Sequence, residues 1–143
     1  QMVFDTTQPN EDFDQCARTK LGPAFSFFDR LRMGRIGSRR MMIQSYSEGF
    51  WPLKNNFEDI LYGNIELRPS GIILYGINGS KRMGWIVPYH ELIVFDSDCF
   101  SIHAQGLVIK FEKNRNYNEN KSFIRMMMDK RLKWLSQFEM PDN

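Results

Sequence analysis

The stretch GWIVPYHELIVF, residues 84–95, decides the fold, because it places a proline inside an otherwise largely apolar run. Pro88 has no N–H to donate to a central ladder, so a single strand through it is disfavoured. A continuous register would also bring Glu91 to the same face as Trp85. A break after Pro88 removes both conflicts and leaves His90 and Glu91 exposed. The stretch therefore predicts two strands with a corner between them.

Short strand patterns continue on both sides of this corner. Apolar and polar residues alternate, and turn residues such as Asn78-Gly79 separate the runs. The pattern predicts seven antiparallel strands, at residues 41–48, 57–68, 72–77, 80–87, 91–95, 99–104 and 107–113. We expect a bulge or bend at Gly63, where the alternation of the second strand slips by one residue. Hairpin spacing of this kind favours a sandwich or barrel.

The chain becomes helical after the last strand. Residues 118–140, NENKSFIRMMMDKRLKWLSQFEM, predict an amphipathic helix capped by Asn118 or Asn120. Its apolar face comprises Phe123, Ile124, Met127, Met128, Leu132, Trp134, Leu135 and Phe138. Arg131 falls inside this face, where we expect its stem to cover the core and its guanidinium to reach water or a carboxylate. So apolar a helix is expected to lie on the strands.

The first 40 residues differ from the rest of the chain. Residues 1–17 carry four acidic residues without periodicity, so we expect a poorly ordered start that enters a helix near Pro9. Residues 22–37 predict a short helix that ends at Gly34 in an arginine-rich link. We therefore divide the chain into residues 1–40 and a β-rich unit with its helix at residues 41–143.

Composition excludes several classes of protein. A chain of 143 residues with 42% hydrophobic residues and a net charge of +2 can bury one core. Two cysteines are too few for a disulfide framework, and no run approaches the roughly 20 apolar residues of a membrane span. We expect a cytoplasmic protein, with membrane association as the alternative. Because the sequence begins at Gln1, a preceding anchor or signal stays open.

Seven antiparallel strands followed by one helix resemble the pleckstrin-homology-like (PH-like) barrel, in which sheets of four and three strands cross orthogonally and the helix closes one end. NIELRPSGIILYG, GWIVPYHELIVF and GLVIKFEK are similar to small bacterial members of that superfamily, and the resemblance covers residues 41–138. It implies an interaction domain, since this barrel is reused for lipid headgroups, peptides and scaffolding. Lys54 matches the loop of the phosphoinositide-binding members, but the strand DILYGNIELR lacks the basic pair that follows there.

No catalytic constellation emerges from the remaining polar residues. Cys99, Ser101 and His103 alternate on one predicted strand, but four residues of extended chain separate Cys99 from His103 by about 13 Å. No phosphate-cradling glycine loop or nucleophile elbow occurs. We therefore expect a protein that is not an enzyme and binds no metal or cofactor.

Two basic surfaces are the candidate interaction sites. The first comprises Arg30, Arg32, Arg35, Arg39 and Arg40, and the second comprises Lys54, Lys81 and Arg82. Phe25, Phe27 and Phe28 beside the first group could lie on an anionic membrane. We favour instead the packing of these phenylalanines against the barrel, since monomeric domains seldom leave such residues in water.

The predicted function is a non-enzymatic interaction module of PH-like fold that binds a protein or peptide partner. Attachment to a membrane surface through the N-terminal helix is the alternative. We do not expect a nucleic-acid partner, because charge beyond residue 40 is balanced. The ligand and the oligomeric state stay open.

Overall fold

A computed structural model of the chain describes residues 1–51, 53 and 60–138. Its elements, in chain order, are β1 (Val3–Asp5), α1 (Glu11–Leu21), α2 (Phe27–Met33), β2 (Met41–Tyr46), β3 (Tyr62–Arg68), β4 (Gly71–Asn78), β5 (Lys81–Pro88), β6 (Ile93–Asp96), β7 (Phe100–Ala104), β8 (Leu107–Phe111), α3 (Arg115–Asn118) and α4 (Lys121–Ser136). The strands form one open antiparallel sheet in the order β1-β5-β4-β3-β2-β8-β7-β6.

Strand β2 joins the two halves of the sheet. Its first two residues, Met41 and Met42, pair with β3, whereas its later residues pair with β8. The register shifts between Ile43 and Ser45, so a bulge marks the point where the strand changes partner. The β4–β5 hairpin turns through Gly79-Ser80, one residue later than the predicted Asn78-Gly79.

The main core lies on one face of the sheet, which we call the inner face. Phe50 and Trp85 meet edge to face there, with ring centroids 4.8 Å apart. Helix α4 contributes three buried side chains to the same cluster, Phe123, Ile124 and Met127. The helix therefore packs on the strands, as the sequence predicts.

Helix α1 covers part of the opposite, outer face. Its buried residues Phe13, Ala17 and Leu21 form a second apolar cluster with Ile73 and Ile86 of β4 and β5. Strand β1 adds to the edge of the same half by pairing with β5. The predicted entry into a helix near Pro9 is confirmed, since α1 begins at Glu11 after the cap Asn10, but the expected poor order before it is wrong, because residues 3–5 form β1. The division at residue 40 stays a prediction.

The β-rich class is confirmed, but the number of strands is not. Each predicted strand has a counterpart, and β1 is an eighth strand that the acidic start concealed. The strand order is that of an open sheet with β1 and β6 at its edges. Closure into two orthogonal sheets therefore stays a proposal. The predicted strand residues 57–59 lie outside the described part of the chain.

The predicted bulge at Gly63 is wrong. Strand β3 pairs with β4 without a shift from Tyr62 to Arg68. A Cβ at Gly63 would lie 3.0 Å from the ring of Phe111, so the glycine makes room for a core side chain across the sheet. A glycine that serves packing produces the same sequence signal as one that serves a bulge.

The corner after Pro88 forms as predicted. Strand β5 ends at Pro88 and β6 begins at Ile93. Tyr89 is buried in the core cluster, while His90 is exposed and stacks on Trp134 of α4, with centroids 6.2 Å apart. The exposure predicted for Glu91 is wrong, because this residue is half-buried and its Oε2 accepts a hydrogen bond from Gln105 at 3.3 Å.

The C-terminal helix begins at Lys121, directly after the predicted Asn120, and buries less than predicted. Asn120 precedes α4 but does not cap it, since its side chain bonds the backbone N–H and C=O of Arg39 instead. Leu132 and Phe138 are exposed, so the buried face ends before the helix does. Arg131 Nε donates to the carbonyl of Leu92 at 3.1 Å.

Candidate interaction surfaces

Helix α2 owes its position to a capping box. Ser26 Oγ accepts a hydrogen bond from the N–H of Asp29 at 3.2 Å, and the Asp29 carboxylate accepts one from the N–H of Ser26 at 3.3 Å. The helix therefore begins at Phe27, several residues into the predicted segment 22–37. Gly34 ends it with a φ of 83°, a conformation that favours glycine. The predicted stop is thus confirmed.

Both ends of α2 are fixed to the rest of the fold. Phe25, just before the helix, packs against the inner core. After the helix, the carbonyl of Ile36 accepts from the N–H of Leu67 at 2.7 Å. Ser38 then bonds Ile65 twice, through its N–H and its side-chain oxygen, each at 2.8 Å. The segment that carries α2 is therefore attached to β3 over several residues.

The expected packing of α2 against the barrel is wrong. Phe27, Phe28 and Leu31 are 69%, 74% and 68% exposed, and α2 contains no buried residue. Of the three phenylalanines in this segment, only Phe25 is partly buried. Three large apolar side chains on two helical turns therefore face solvent.

The charged residues of α2 flank its apolar side. At about 100° per residue, Phe27, Leu31 and Phe28 span an arc of roughly 100°, with Arg30 beyond one end and Arg32 beyond the other. The half-buried residues, Asp29 and Met33, occupy the opposite side of the helix. We call Phe27, Phe28, Arg30, Leu31 and Arg32 the α2 face.

The five arginines of the first predicted surface separate into two groups. Arg39 lies 3.8 Å from the carboxylate of Glu119, and the guanidinium of Arg40 lies over the ring of Tyr62, 4.4 Å from its centroid. Arg30, Arg32 and Arg35 are exposed, and no carboxylate of the described residues pairs with them. Three of the five positive charges therefore remain available on or directly after α2.

The second predicted surface is only partly described. Lys54 lies outside the described residues, while Lys81 and Arg82 are exposed at the tip of the β4–β5 hairpin. Hydrogen bonds from Thr7 and the charge of Lys81 hold the pKa of the Asp5 carboxyl below its usual value. The acidic start thus places a negative charge beside this tip.

The α2 face and the β4–β5 tip lie towards different ends of β3, whereas Arg40 of the first surface lies over Tyr62, near the tip. Arg82 belongs to the cross-strand row that contains Tyr62, whereas α2 is followed by the contact with Leu67. Five residues of strand separate Tyr62 from Leu67, a distance of about 16 Å along β3. Among the described residues, the fold therefore does not bring the α2 face and the β4–β5 tip into one site.

An open cavity of about 800 Å³ lies where β2 leaves β3 for β8. Its described walls combine aromatic side chains such as Tyr46 and Phe50 with two acidic residues, Glu48 and Glu112. No basic side chain is among the described residues that line it. This lining does not suit an anionic headgroup.

A second cavity, of about 690 Å³, lies between the end of β6 and helices α3 and α4. Lys113 forms an ion pair with Asp96 at 2.6 Å, and Tyr117 donates to the same carboxylate. Burial alone would raise the pKa of Asp96, but the hydrogen bonds from Lys113 and Tyr117 and the nearby positive charges lower it. Burial and then the Asp96 charge raise the pKa of Tyr117 to about 12. Asp96, Lys113 and Tyr117 therefore serve as one another's charge and hydrogen-bond partners.

The polar residues of β7 lie outside the two cavities described above. Ser101 Oγ and His103 Nε2 are hydrogen-bonded at 3.0 Å, but neither residue lines either of the two cavities. His103 packs against the ring of Phe95 at 4.9 Å. Burial and the charge of Lys110 lower the pKa of this histidine. Within the described residues, no group of three His, Cys, Asp or Glu side chains could hold a metal ion.

The outer face of β6 forms a second exposed apolar surface. Ile93 and Phe95 are 52% and 55% exposed and flank Val94, which packs on the core. His103 and Ser101 lie opposite them on β7. We call Ile93, Phe95 and His103 the β6 patch. Sequence reasoning missed it, because an apolar Ile-Val-Phe run predicts a strand buried on both faces.

No helix in the described part of the chain has the length and apolarity that crossing a membrane requires. No family model, curated protein or solved structure matches this chain.

Proposed function

We propose that residues 41–138 have a PH-like fold. The order of seven strands, β5-β4-β3-β2-β8-β7-β6, supports the proposal, because it consists of two meanders joined through β2 and β8. Helix α4 follows the last strand and packs on the inner face. In this proposal the two meanders cross at a steep angle. A crystal structure in which the meanders are nearly coplanar would contradict it.

We further propose that the chain is a non-enzymatic interaction module and that the α2 face is its main contact surface. The exposure of Phe27, Phe28 and Leu31 carries this proposal. Contiguous exposed apolar side chains rimmed by polar ones are typical of interaction sites. The attachment of the segment to β3 also supports it, since a fixed surface loses less conformational entropy on binding.

A protein or peptide partner on the β6 patch is the second candidate function. The exposure of Ile93 and Phe95 on an edge strand supports it, because an edge strand can accept a further strand while its side chains fill pockets of the partner. In both cases we propose a cytoplasmic location. The two free cysteines, Cys16 and Cys99, fit a reducing compartment.

Thiol labelling tests whether the α2 face is occupied. In a Cys16→Ser/Cys99→Ser background, Leu31→Cys introduces a thiol on the α2 face, and Ser80→Cys introduces a matched exposed thiol on the β4–β5 turn. Both variants are labelled with a bulky maleimide, first as purified proteins and then in a whole extract of the source cells. The labelling rates are compared between the two conditions.

We expect the extract to slow labelling at Leu31→Cys severalfold and to leave labelling at Ser80→Cys unchanged. Equal rates at Leu31→Cys with and without extract would contradict the proposal. A Phe95→Cys variant in the same assay tests the β6 patch, where slower labelling in the soluble fraction of the extract supports a protein partner.

A further inference from the structure

We propose that the partner of the α2 face is an anionic membrane surface, on which α2 lies parallel to the bilayer plane. This inference rests on the proposed role of α2 as the contact surface. It commits to one occupant, a bilayer that contains acidic phospholipid headgroups. A protein groove is the competing occupant, and the experiment below separates the two.

The arrangement of side chains around α2 favours a planar partner. Phe27, Leu31 and Phe28 form one continuous apolar arc, and Arg30 and Arg32 lie at its two edges. A helix of this kind can insert its apolar side among acyl chains while both arginines reach phosphates at the headgroup level. A protein groove would need acidic residues on both of its walls to satisfy the same pattern.

The charge around α2 complements an acidic bilayer. Arg30, Arg32 and Arg35 are exposed and pair with no carboxylate of the described residues. The acidic residue of the helix, Asp29, lies on the half-buried side and is engaged in the capping box with Ser26. Three positive charges and no exposed negative one therefore accompany the apolar arc.

Vesicle cosedimentation tests the inference with the full chain. One set of vesicles contains phosphatidylcholine alone, and the other contains phosphatidylcholine with 3 parts in 10 of phosphatidylserine, roughly the anionic character of a cytoplasmic leaflet. The test variants are Arg30→Gln/Arg32→Gln/Arg35→Gln, which removes the charge, and Phe27→Ser/Phe28→Ser, which removes the apolar arc. Thermal unfolding of each variant establishes that it is folded.

Two control variants match these changes elsewhere on the surface. Lys20→Gln/Lys110→Gln/Lys133→Gln removes three exposed positive charges from α1, β8 and α4. Leu132→Ser/Phe138→Ser removes two exposed apolar side chains from α4 and the turn that follows it, outside every candidate surface.

We expect the wild type to bind the acidic vesicles and the arginine variant to bind them roughly 100-fold more weakly, as three basic residues at an anionic surface imply. The phenylalanine variant should lose at least about tenfold, since it lacks the inserted side chains. Both controls should stay within about threefold of the wild type, and salt should weaken binding by screening.

Three results would overturn the membrane inference. They are no binding to acidic vesicles, equal binding to both kinds of vesicle, and controls that lose as much as the α2 variants. If vesicle binding fails while the soluble extract still shields Leu31→Cys, the contact role of α2 holds and its partner is a protein. If vesicle binding fails and no extract shields that thiol, both proposals fall.

Discussion

The hydroxyl of Tyr117 donates to both carboxylate oxygens of Asp96, at 3.0 and 2.9 Å, and so ties the single turn α3 to the end of β6. Lys113 completes the arrangement from the other side, with its ammonium 2.6 Å from the same carboxylate. Tyr117 is buried, whereas Asp96 is largely exposed. The contact therefore joins a buried tyrosine to an exposed carboxylate at the edge of the sheet.

Tyr117→Phe is expected to lower the free energy of unfolding by about 1 kcal/mol at pH 7, the lower range for a hydrogen bond to a partly exposed charge. The lowered pKa of Asp96 means that its stabilising contribution is complete above the ordinary value of 3.8 and is lost as the pH falls through the folded-state pKa. Urea denaturation should therefore show a difference between wild type and variant that narrows below pH 3.8. A difference independent of pH would indicate that the hydroxyl stabilises the fold in some way other than its hydrogen bond to the ionised carboxylate.

Phe13→Ala is expected to destabilise the protein by about 3 kcal/mol, whereas Phe28→Ala should change stability by less than about 0.5 kcal/mol. The two variants remove the same side chain and differ in its burial. Phe13 of α1 is 6% exposed, whereas Phe28 of α2 is 74% exposed. Denaturant unfolding of both variants measures the difference. Equal effects would mean that α1 does not belong to the cooperative core.

Gly71→Ala is expected to cost about 3 kcal/mol or more, because its Cβ would overlap the carbonyl oxygen of Val87 and lie 2.6 Å from Leu21 Cδ2. Gly37→Ala is the matched control, since the nearest atom to its Cβ, the carbonyl oxygen of Ile65, is 3.8 Å away. The control should stay within about 1 kcal/mol of the wild type. Similar losses at both positions would show that α1 does not press on the start of β4.

His103→Gln is expected to reduce the loss of stability in mild acid. Because the pKa of His103 is lowered, the unfolded chain takes up the proton first, so stability is present above 6.5 and falls as the pH drops through the folded-state pKa. The melting temperature of the wild type should therefore decrease more than that of the variant between pH 7.5 and pH 5, which bracket this window on either side. A variant whose melting temperature decreases as much as that of the wild type would contradict this role of His103.

Local backbone rules account for the part of the fold that the sequence predicts well. Pro88 cannot donate to a ladder, and Gly34 adopts a positive φ, so each marks its boundary by its own chemistry. Strand alternation likewise locates the seven predicted strands within a few residues. These signals depend only on neighbours in sequence, so the predictions made from them hold without knowledge of tertiary contacts.

The predictions fail where contacts between residues distant in sequence determine the local structure. The sequence predicts that Asn120 caps the helix, but its side chain is hydrogen-bonded to the backbone of Arg39, 81 residues away in sequence. The first residues are predicted to be poorly ordered because they are polar and acidic, yet residues 3–5 form β1 by pairing with the edge of β5. The α2 phenylalanines read as core, because composition alone cannot tell which apolar residues the sheet has no room to cover.

The attachment of α2 at both ends fixes this helix relative to the sheet. Phe25 is held in the core on one side of the helix, and Ile36 and Ser38 are bonded to β3 on the other. A molecule that binds α2 therefore also fixes the orientation of β3 relative to itself. The β4–β5 tip, near the other end of β3, would then point away from the bound molecule. Binding at α2 would orient the protein as well as retain it.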